Sequence, residues 1–338
     1  MQSFLAKITL FLFFLLLLYT GLHYMTLPEE EESPFDYTAA MADKHQRAHS
    51  IGSPKMILAG SSNAAFNLNS EMIQNEFGIP VVNTALILSF GLDFMLNEIE
   101  DLADEGDVVF LFFTYYVDLE GLYDSKKNVA SYYPRAENYF RTDLRKEVAS
   151  HVRSTQGNTW NWIYTNLLGR ERQIFEMDEF TAVYKRDNFN DFGDFIGHHG
   201  MQGKPELDQR GIIEYMYWGE GIRRLNRFYA EMEKREVSVF YVYTAYPISE
   251  YERNREVLET IHQDMTEGLH FPVLGRPDTF LFEDEYFFDT VYHLTQEGAI
   301  NRTDKFIDLI YDQRQVNSAL DTLFRYQEVE EADNTPLN

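Results

Sequence analysis

The chain has 338 residues, 44% hydrophobic and 15% aromatic, which is enough apolar material for a sizeable core and too much for a chain disordered throughout. Its formal net charge of −26 argues against a binder of nucleic-acid phosphates, which needs a basic face. The absence of cysteine removes disulfides, thiol catalysis, thiolate metal sites and a lipidated cysteine together.

Near the start, residues 8–19 are almost wholly apolar, and with 4–6 before them and 21–25 after them the segment approaches the roughly 20 residues that span a bilayer. A cleaved signal peptide shares this pattern. No small-x-small cleavage pattern follows, so residues 1–27 read as a cytoplasmic stub and a retained transmembrane anchor. Lys7, the only cation in the first 43 residues, precedes the run and predicts a cytoplasmic N-terminus, with the rest outside the cytoplasm in the periplasm or on the cell surface. Residues 28–54, with acids at 29–32, read as a juxtamembrane spacer, and 313–338, with acids from 328 to 333, as a disordered acidic tail.

Between these ends strand and helix alternate. Apolar runs predict strands over 55–59, 81–84, 107–113, 237–243 and, shorter, 271–274, with helices over 70–77, 91–104, 212–235, 250–266 and 296–312. Such alternation predicts parallel βαβ units, so the sheet is expected to be mostly parallel and covered on both faces. About 90 residues, 119–210, interrupt the pattern after the third strand. An insertion there leaves the carboxyl end of a strand and hangs over the ligand-binding face. Its aromatics, Tyr132-Tyr133 and Trp160-Asn161-Trp162, either stack on sugar rings or pack the insertion onto the main domain. His198 and His199 are adjacent and lack a third ligand at helical spacing, so no metal site is expected. No phosphate loop or Gly-x-Gly-x-x-Gly follows a strand, so no nucleotide cofactor is expected either.

Two stretches carry chemistry. In Met56-Ile57-Leu58-Ala59-Gly60-Ser61-Ser62-Asn63-Ala64-Ala65-Phe66 an apolar run enters a polar turn, and an amphipathic segment follows from Ser70: strand, tight turn, helix. A serine in that turn sits where open α/β sheets bind ligands, beside helix-start N–H groups able to stabilise an oxyanion. Ser61, Ser62 and Asn63 are equally residues that cap helices. In Phe287-Phe288-Asp289-Thr290-Val291-Tyr292-His293-Leu294-Thr295 a carboxylate stands four residues before a histidine, ahead of a helix opened by Thr295. Acyl transfer needs a base within reach of the serine and a group that fixes the base's tautomer, here in the order Ser, Asp, His.

These blocks resemble the SGNH, or GDSL-like, hydrolases, and in particular their membrane-anchored branch acting on bacterial cell-envelope polysaccharides. Gly60-Ser61-Ser62 matches the Gly-Asp-Ser block with Ser62 in the nucleophile's place, Gly91 matches the second block's glycine, and Asp289 and His293 match the last block, with Gly298 after them. Ser61 stands where the family has Asp, and Asp289 to His293 is one residue longer than Asp-x-x-His. The third block's Gly-x-Asn-Asp has no counterpart, because the strand through Phe113 runs into Thr114-Tyr115-Tyr116. The resemblance covers roughly residues 55–312. It implies a flavodoxin-like three-layer sandwich behind an N-terminal transmembrane helix, and a Ser62-His293-Asp289 O-acyltransferase or carbohydrate esterase moving an acyl group, acetyl in the first instance, on a surface polysaccharide. It further implies an oxyanion bound by the Ser62 and Gly91 N–H groups, Asn63 and Thr114 as neighbouring oxyanion or substrate residues, no cofactor, and a membrane acyltransferase as partner. The missing Asn block also admits a catalytically inactive scaffold or glycan-binding component of polysaccharide export. A third reading is an unrelated α/β module holding an anion at the helix start.

Overall fold

The computed structural model describes residues 2–25, 37–166, 179–314, 320, 321, 323 and 324. The acidic stretches at 29–32 and 328–333 lie outside the described residues. The chain forms two compact units, one of Met1–Pro34 with Arg141–Thr181 and one of Phe35–Phe140 with Ala182–Asn338.

The second unit is built on apolar runs too short for helices. Its strands are β1 (Met56–Gly60), β2 (Val81–Asn83), β3 (Val108–Phe112), β4 (Ser238–Val242), β5 (Tyr246–Pro247), β6 (Val273–Leu274) and β7 (Leu281–Phe282). Five of them form one sheet in the order β2-β1-β3-β4-β6, every pairing parallel, and β5 pairs with β7 separately. All residues of β1 and β3 are buried, as a parallel sheet covered on both faces requires. Phe110 and Phe240 stack across β3 and β4 at 5.2 Å, and Phe306 meets Phe110 edge-on at 5.1 Å. At the amino end of the sheet the buried Lys55 Nζ meets Asp107 Oδ2 at 2.6 Å, and the same carboxylate accepts the Lys55 N–H.

The helices are α1 (Gln2–Met25), α2 (Met41–Ile51), α3 (Ser62–Asn67), α4 (Ser70–Phe77), α5 (Leu92–Leu102), α6 (Tyr123–Tyr132), α7 (Leu144–Asn166), α8 (Gly219–Lys234), α9 (Ile248–Gly268) and α10 (Gln296–Arg314). In the α/β unit α3 and α4 pack with α10, whereas α5 packs with α8 and α8 with α9. The chain runs from β1 outward to β2 and then back across β1 to β3. That reversal makes the carboxyl ends of β1 and β3 a topological switch point, where open α/β sheets bind ligands. Gly60 ends β1 there because a Cβ on it would lie 2.1 Å from the Phe112 carbonyl oxygen.

Three expectations about the chain's organisation are corrected. Residues 37–54 are not a spacer: Tyr37–Ala40 and α2 pack into the α/β unit, burying Met41, Lys44, His45 and Ala48. The Lys44 ammonium is tolerated there because it donates to the carbonyls of Asn83 (3.1 Å), Ala85 (2.8 Å) and Gly193 (2.5 Å). The start of the tail is packed too, with Leu320, Leu323 and Phe324 buried and Phe324 edge-on to Phe77 at 5.8 Å. The helix expected from residue 212 begins at Gly219, and in the segment before it the Gly211 and Ile213 N–H groups donate to Glu250 and Asn254 of α9.

The first unit contains α1 and α7, and so takes residues 141–181 out of the expected insertion. Phe4–Met25 of α1 is 22 residues long and apolar enough to cross a membrane, about 33 Å at a helical rise of 1.5 Å per residue. Near its end Tyr19 and His23 both reach the Thr155 hydroxyl of α7 at 3.1 Å.

Candidate functional site

Ser61 turns the chain out of β1 in extended backbone and Ser62 opens α3. Six-residue α3 is too short to be stable by itself, and it is fixed by what its residues bind. Asn83 Nδ2 donates to the Ala64 carbonyl (3.1 Å) and the Phe195 N–H to the Ala65 carbonyl (2.8 Å). Asn67, at the end of α3, donates to the Tyr292 carbonyl at 2.8 Å and accepts the Leu294 N–H at 2.7 Å. A single side chain thus brackets His293 from both sides.

The loop carrying His293 closes on itself. Phe287 bridges Leu294, the Phe288 N–H donates to the His293 carbonyl at 2.7 Å, and Asp289 is carried round to face the imidazole. His293 Nδ1 lies 2.8 Å from Asp289 Oδ1, and Nε2 lies 2.9 Å from Ser62 Oγ. A carboxylate at Nδ1 keeps the proton there and leaves Nε2 to accept the Ser62 hydroxyl proton. The structure therefore brings together three residues from opposite ends of the α/β unit, in the arrangement a serine nucleophile, its base and the base's orienting group require.

Two rings hold this arrangement. Phe66 of α3 stacks on His293 at 4.0 Å with an interplanar angle of 9°. The Tyr184 hydroxyl donates to Asp289 Oδ2 at 2.5 Å and lies 3.1 Å from His293 Nδ1. Burial pushes the Asp289 carboxyl up, but the hydrogen bond and charge of His293, the Tyr184 hydroxyl and the nearby Lys204 outweigh it. The net result lies below the usual carboxylate range, so Asp289 stays ionised. Burial and the Asp289 charge push Tyr184 far above its ordinary value, so it keeps the proton it donates.

Ser62 and His293 open into a cleft of about 750 Å³ whose lining also includes Tyr37, Ile87, Leu88, Leu122, Gln209 and Thr290. Its lining is mainly apolar, with few polar groups converging on the serine, as small-molecule sites usually are. A second cleft of about 760 Å³, bounded by Met201, Lys204 and Glu297, contains none of the three residues and is set aside on that ground.

Gly91, Asn63 and Thr114, expected at the oxyanion or substrate, do not line the cleft. The Gly91 N–H donates to the Leu88 carbonyl at 3.1 Å, so it is not free for an oxyanion. Its φ of +78° and a 2.3 Å approach of its built Cβ to the Gly121 nitrogen explain the glycine as a backbone crossing. Asn63 is buried, donating to Thr244 Oγ1 at 3.1 Å and accepting from Ser61 Oγ at 2.6 Å. The Thr114 hydroxyl donates to the Tyr116 carbonyl at 3.3 Å. Of the aromatics considered for sugar stacking, Tyr133 packs on His45 at 4.7 Å, and Trp160 and Trp162 belong to the first unit. His198 packs against Phe66 and Phe195, at 4.9 and 5.7 Å.

Sequence reasoning missed Tyr184, Asn67 and Gln209. Asn67 directly follows the serine stretch and carried a local signal, being a polar residue placed just before the next helix; Tyr184 and Gln209 lie in segments without periodicity. Known proteins add nothing to this geometry: the chain matches no protein-family model and no curated protein.

Proposed function

We propose that the chain is an SGNH-like serine acyltransferase or esterase, anchored by α1 with its α/β unit outside the cytoplasm, acting on O-acyl groups of a surface polysaccharide. The observation that carries the reading is the continuous hydrogen-bond path from Ser62 Oγ through His293 to Asp289 at 2.9 and 2.8 Å, opening into a cleft at the switch point. The 2-1-3-4-6 order and the helices on the two faces are compatible with the flavodoxin-like three-layer sandwich of that family. The choice of glycan and acyl group, the extracytoplasmic orientation and a membrane acyltransferase as acyl source rest on the resemblance and on the apolar α1.

In this mechanism Ser62 Oγ attacks the acyl carbonyl carbon while its proton passes to His293 Nε2. The imidazolium is stabilised by Asp289, which takes no proton itself. On collapse the leaving alkoxide receives the proton from Nε2, and an acceptor hydroxyl or water then repeats the sequence on the Ser62 ester. The Ser62 N–H, at the first position of α3, has no intrahelical partner and is the backbone donor this mechanism assigns to the new oxyanion.

The test is labelling of the full detergent-solubilised chain with a fluorophosphonate, followed by peptide mapping. Modification is expected at Ser62 and lost in Ser62→Ala. His293→Ala should slow it on the order of 10⁶-fold and Asp289→Asn about 10⁴-fold, with the Ser62 and His293 double variant no worse than Ser62→Ala. A folded wild-type chain that is never labelled would replace this reading by a non-catalytic glycan-binding or scaffold role.

A further inference from the structure

We propose that the side-chain amide of Gln209 is a catalytic residue, donating a hydrogen bond to the oxygen that becomes negative when Ser62 attacks. The inference rests on the acyl-transfer reading above and adds to it a residue outside the triad.

Gln209 lines the same cleft as Ser62 and His293, and its side chain is exposed there. Its φ is +65°, a left-handed backbone that costs glycine nothing and a long side chain more. Strain of this kind persists only where the surroundings enforce it, and here both neighbours are clamped. On one side the Asp208 N–H donates to the Asp289 carbonyl at 2.8 Å and the Val291 N–H to the Asp208 carbonyl at 3.1 Å, so this segment is bridged to the loop that carries the triad. On the other, Arg210 reaches Asp284 at 2.5 Å and Glu250 at 3.2 Å, and the Gly211 N–H donates to Glu250 at 3.1 Å. The residue between these clamps is fixed relative to Asp289.

Other polar groups lining the cleft are engaged. The Tyr184 hydroxyl is committed to Asp289, Ser89 Oγ pairs with Ser125 Oγ at 3.0 Å, and Asp118 accepts the Gly121 N–H at 2.5 Å and is a carboxylate. Among the described residues the Gln209 amide has no hydrogen-bond partner. It is a neutral donor lining the same mainly apolar cleft as Ser62, where an unshielded oxyanion is costly. In the attack the Ser62 Oγ–C bond forms, the carbonyl π pair moves to oxygen, the hydroxyl proton goes to His293 Nε2, and the oxygen accepts from Gln209 Nε2–H. When the carbonyl re-forms, the bond from its carbon to the leaving alkoxide breaks and that alkoxide takes the proton from His293 Nε2, Gln209 keeping its own.

Three variants of the full chain separate side chain from backbone. Q209G removes the amide and suits the φ, Q209E keeps the shape but not the donor, and Q209N keeps a shorter amide on a residue that tolerates the left-handed region. The fluorophosphonate labelling rate of Ser62, whose phosphoryl oxygen stands in for the oxyanion, should fall about 10²–10³-fold in Q209G and Q209E and less in Q209N. Turnover of a soluble aryl acetate should lose kcat with little change in KM, and Q209G should melt no lower than wild type. Wild-type labelling in Q209G, or a loss confined to KM, overturns the proposal. A folded wild type that is never labelled overturns the acyl-transfer reading instead, and this inference with it.

Discussion

Tyr184→Phe isolates one bond of the site. The substitution deletes a single oxygen and leaves the ring in its contacts with Tyr37 (5.5 Å), Phe66 (5.6 Å) and Phe195 (5.6 Å). What is lost is the 2.5 Å hydrogen bond to ionised, buried Asp289. Bonds of that kind contribute about 1.5–3 kcal/mol, so the melting temperature should drop by about 3–12 °C for a unit of this size. The effect on chemistry has a definite sign. Without the tyrosine donor the Asp289 charge falls more fully on the imidazolium, and the acid limb of the Ser62 labelling profile should move to higher pH. Labelling rates from pH 5 to 9, with calorimetric melting of the same samples, measure both quantities. An unchanged melting temperature together with an unchanged limb would falsify the argument, and a limb moved to lower pH would mean that the hydroxyl serves His293 Nδ1, 3.1 Å away, instead.

Ser61→Ala should cost stability, because the Ser61 hydroxyl donates to Asn63 inside the fold. It leaves Asn63 Oδ1 buried without its donor, which should destabilise the chain by about 1–3 kcal/mol in urea unfolding while sparing the labelling rate; a normal midpoint would show that the pair adds nothing. Gly60→Ala should be worse than Ser61→Ala in the same assay, because its Cβ has no space beside the Phe112 carbonyl, and a milder effect would mean that β1 and β3 separate freely. Burial pushes the His198 imidazole down to about 3 from 6.5. Between those values the unfolded chain binds a proton that the folded chain refuses, so stability should fall on acidification by up to about 1.4 kcal/mol per pH unit. His198→Leu should flatten that slope in denaturant titrations at pH 7, 6, 5 and 4; equal slopes in the two proteins would exclude buried neutral His198 as the cause.

The five strands of the main sheet were legible because each is an apolar run bounded by turns, and burial on both faces of a parallel sheet leaves no polar alternation to confuse the reading, whereas β5 and β7, two residues each, are too short to show a pattern. The pairing of Ser62 with Asp289 and His293 was legible only through the order of the motifs. Nothing local brings together two side chains 231 positions apart in the sequence. Where the reading failed, a polar residue had been given a buried partner. Lys44 and His45 make α2 look like a solvated spacer, yet three carbonyls satisfy the lysine and Glu98 meets the histidine at 2.9 Å. Ile212 to Trp218 reads as the start of α8, but the segment is tied outward instead, the Ile213 N–H to Asn254 of α9 and the Met216 N–H to the Tyr116 hydroxyl. α3 is too short for any periodicity to appear, and Tyr184 reaches Asp289 from a segment with no pattern at all.

The Asn67 bracket has a consequence for how such a site can change. Because the residue that closes the nucleophile's helix also grips both flanks of the histidine, the spacing of serine and base is set within one small patch of chain, independent of the walls around it. Ile87 and Leu88 come from the loop before α5, Leu122 from the turn before α6, and Tyr37 from the segment before α2. The first three can be lengthened or recoloured without touching the hydrogen bonds of Ser62, His293 and Asp289; Tyr37 cannot, because its ring packs on Tyr184, whose hydroxyl holds Asp289. On the acyl-transfer reading proposed above, a wall substitution such as Leu122→Ala would change which acceptors enter the cleft while leaving the Ser62 to His293 distance in place.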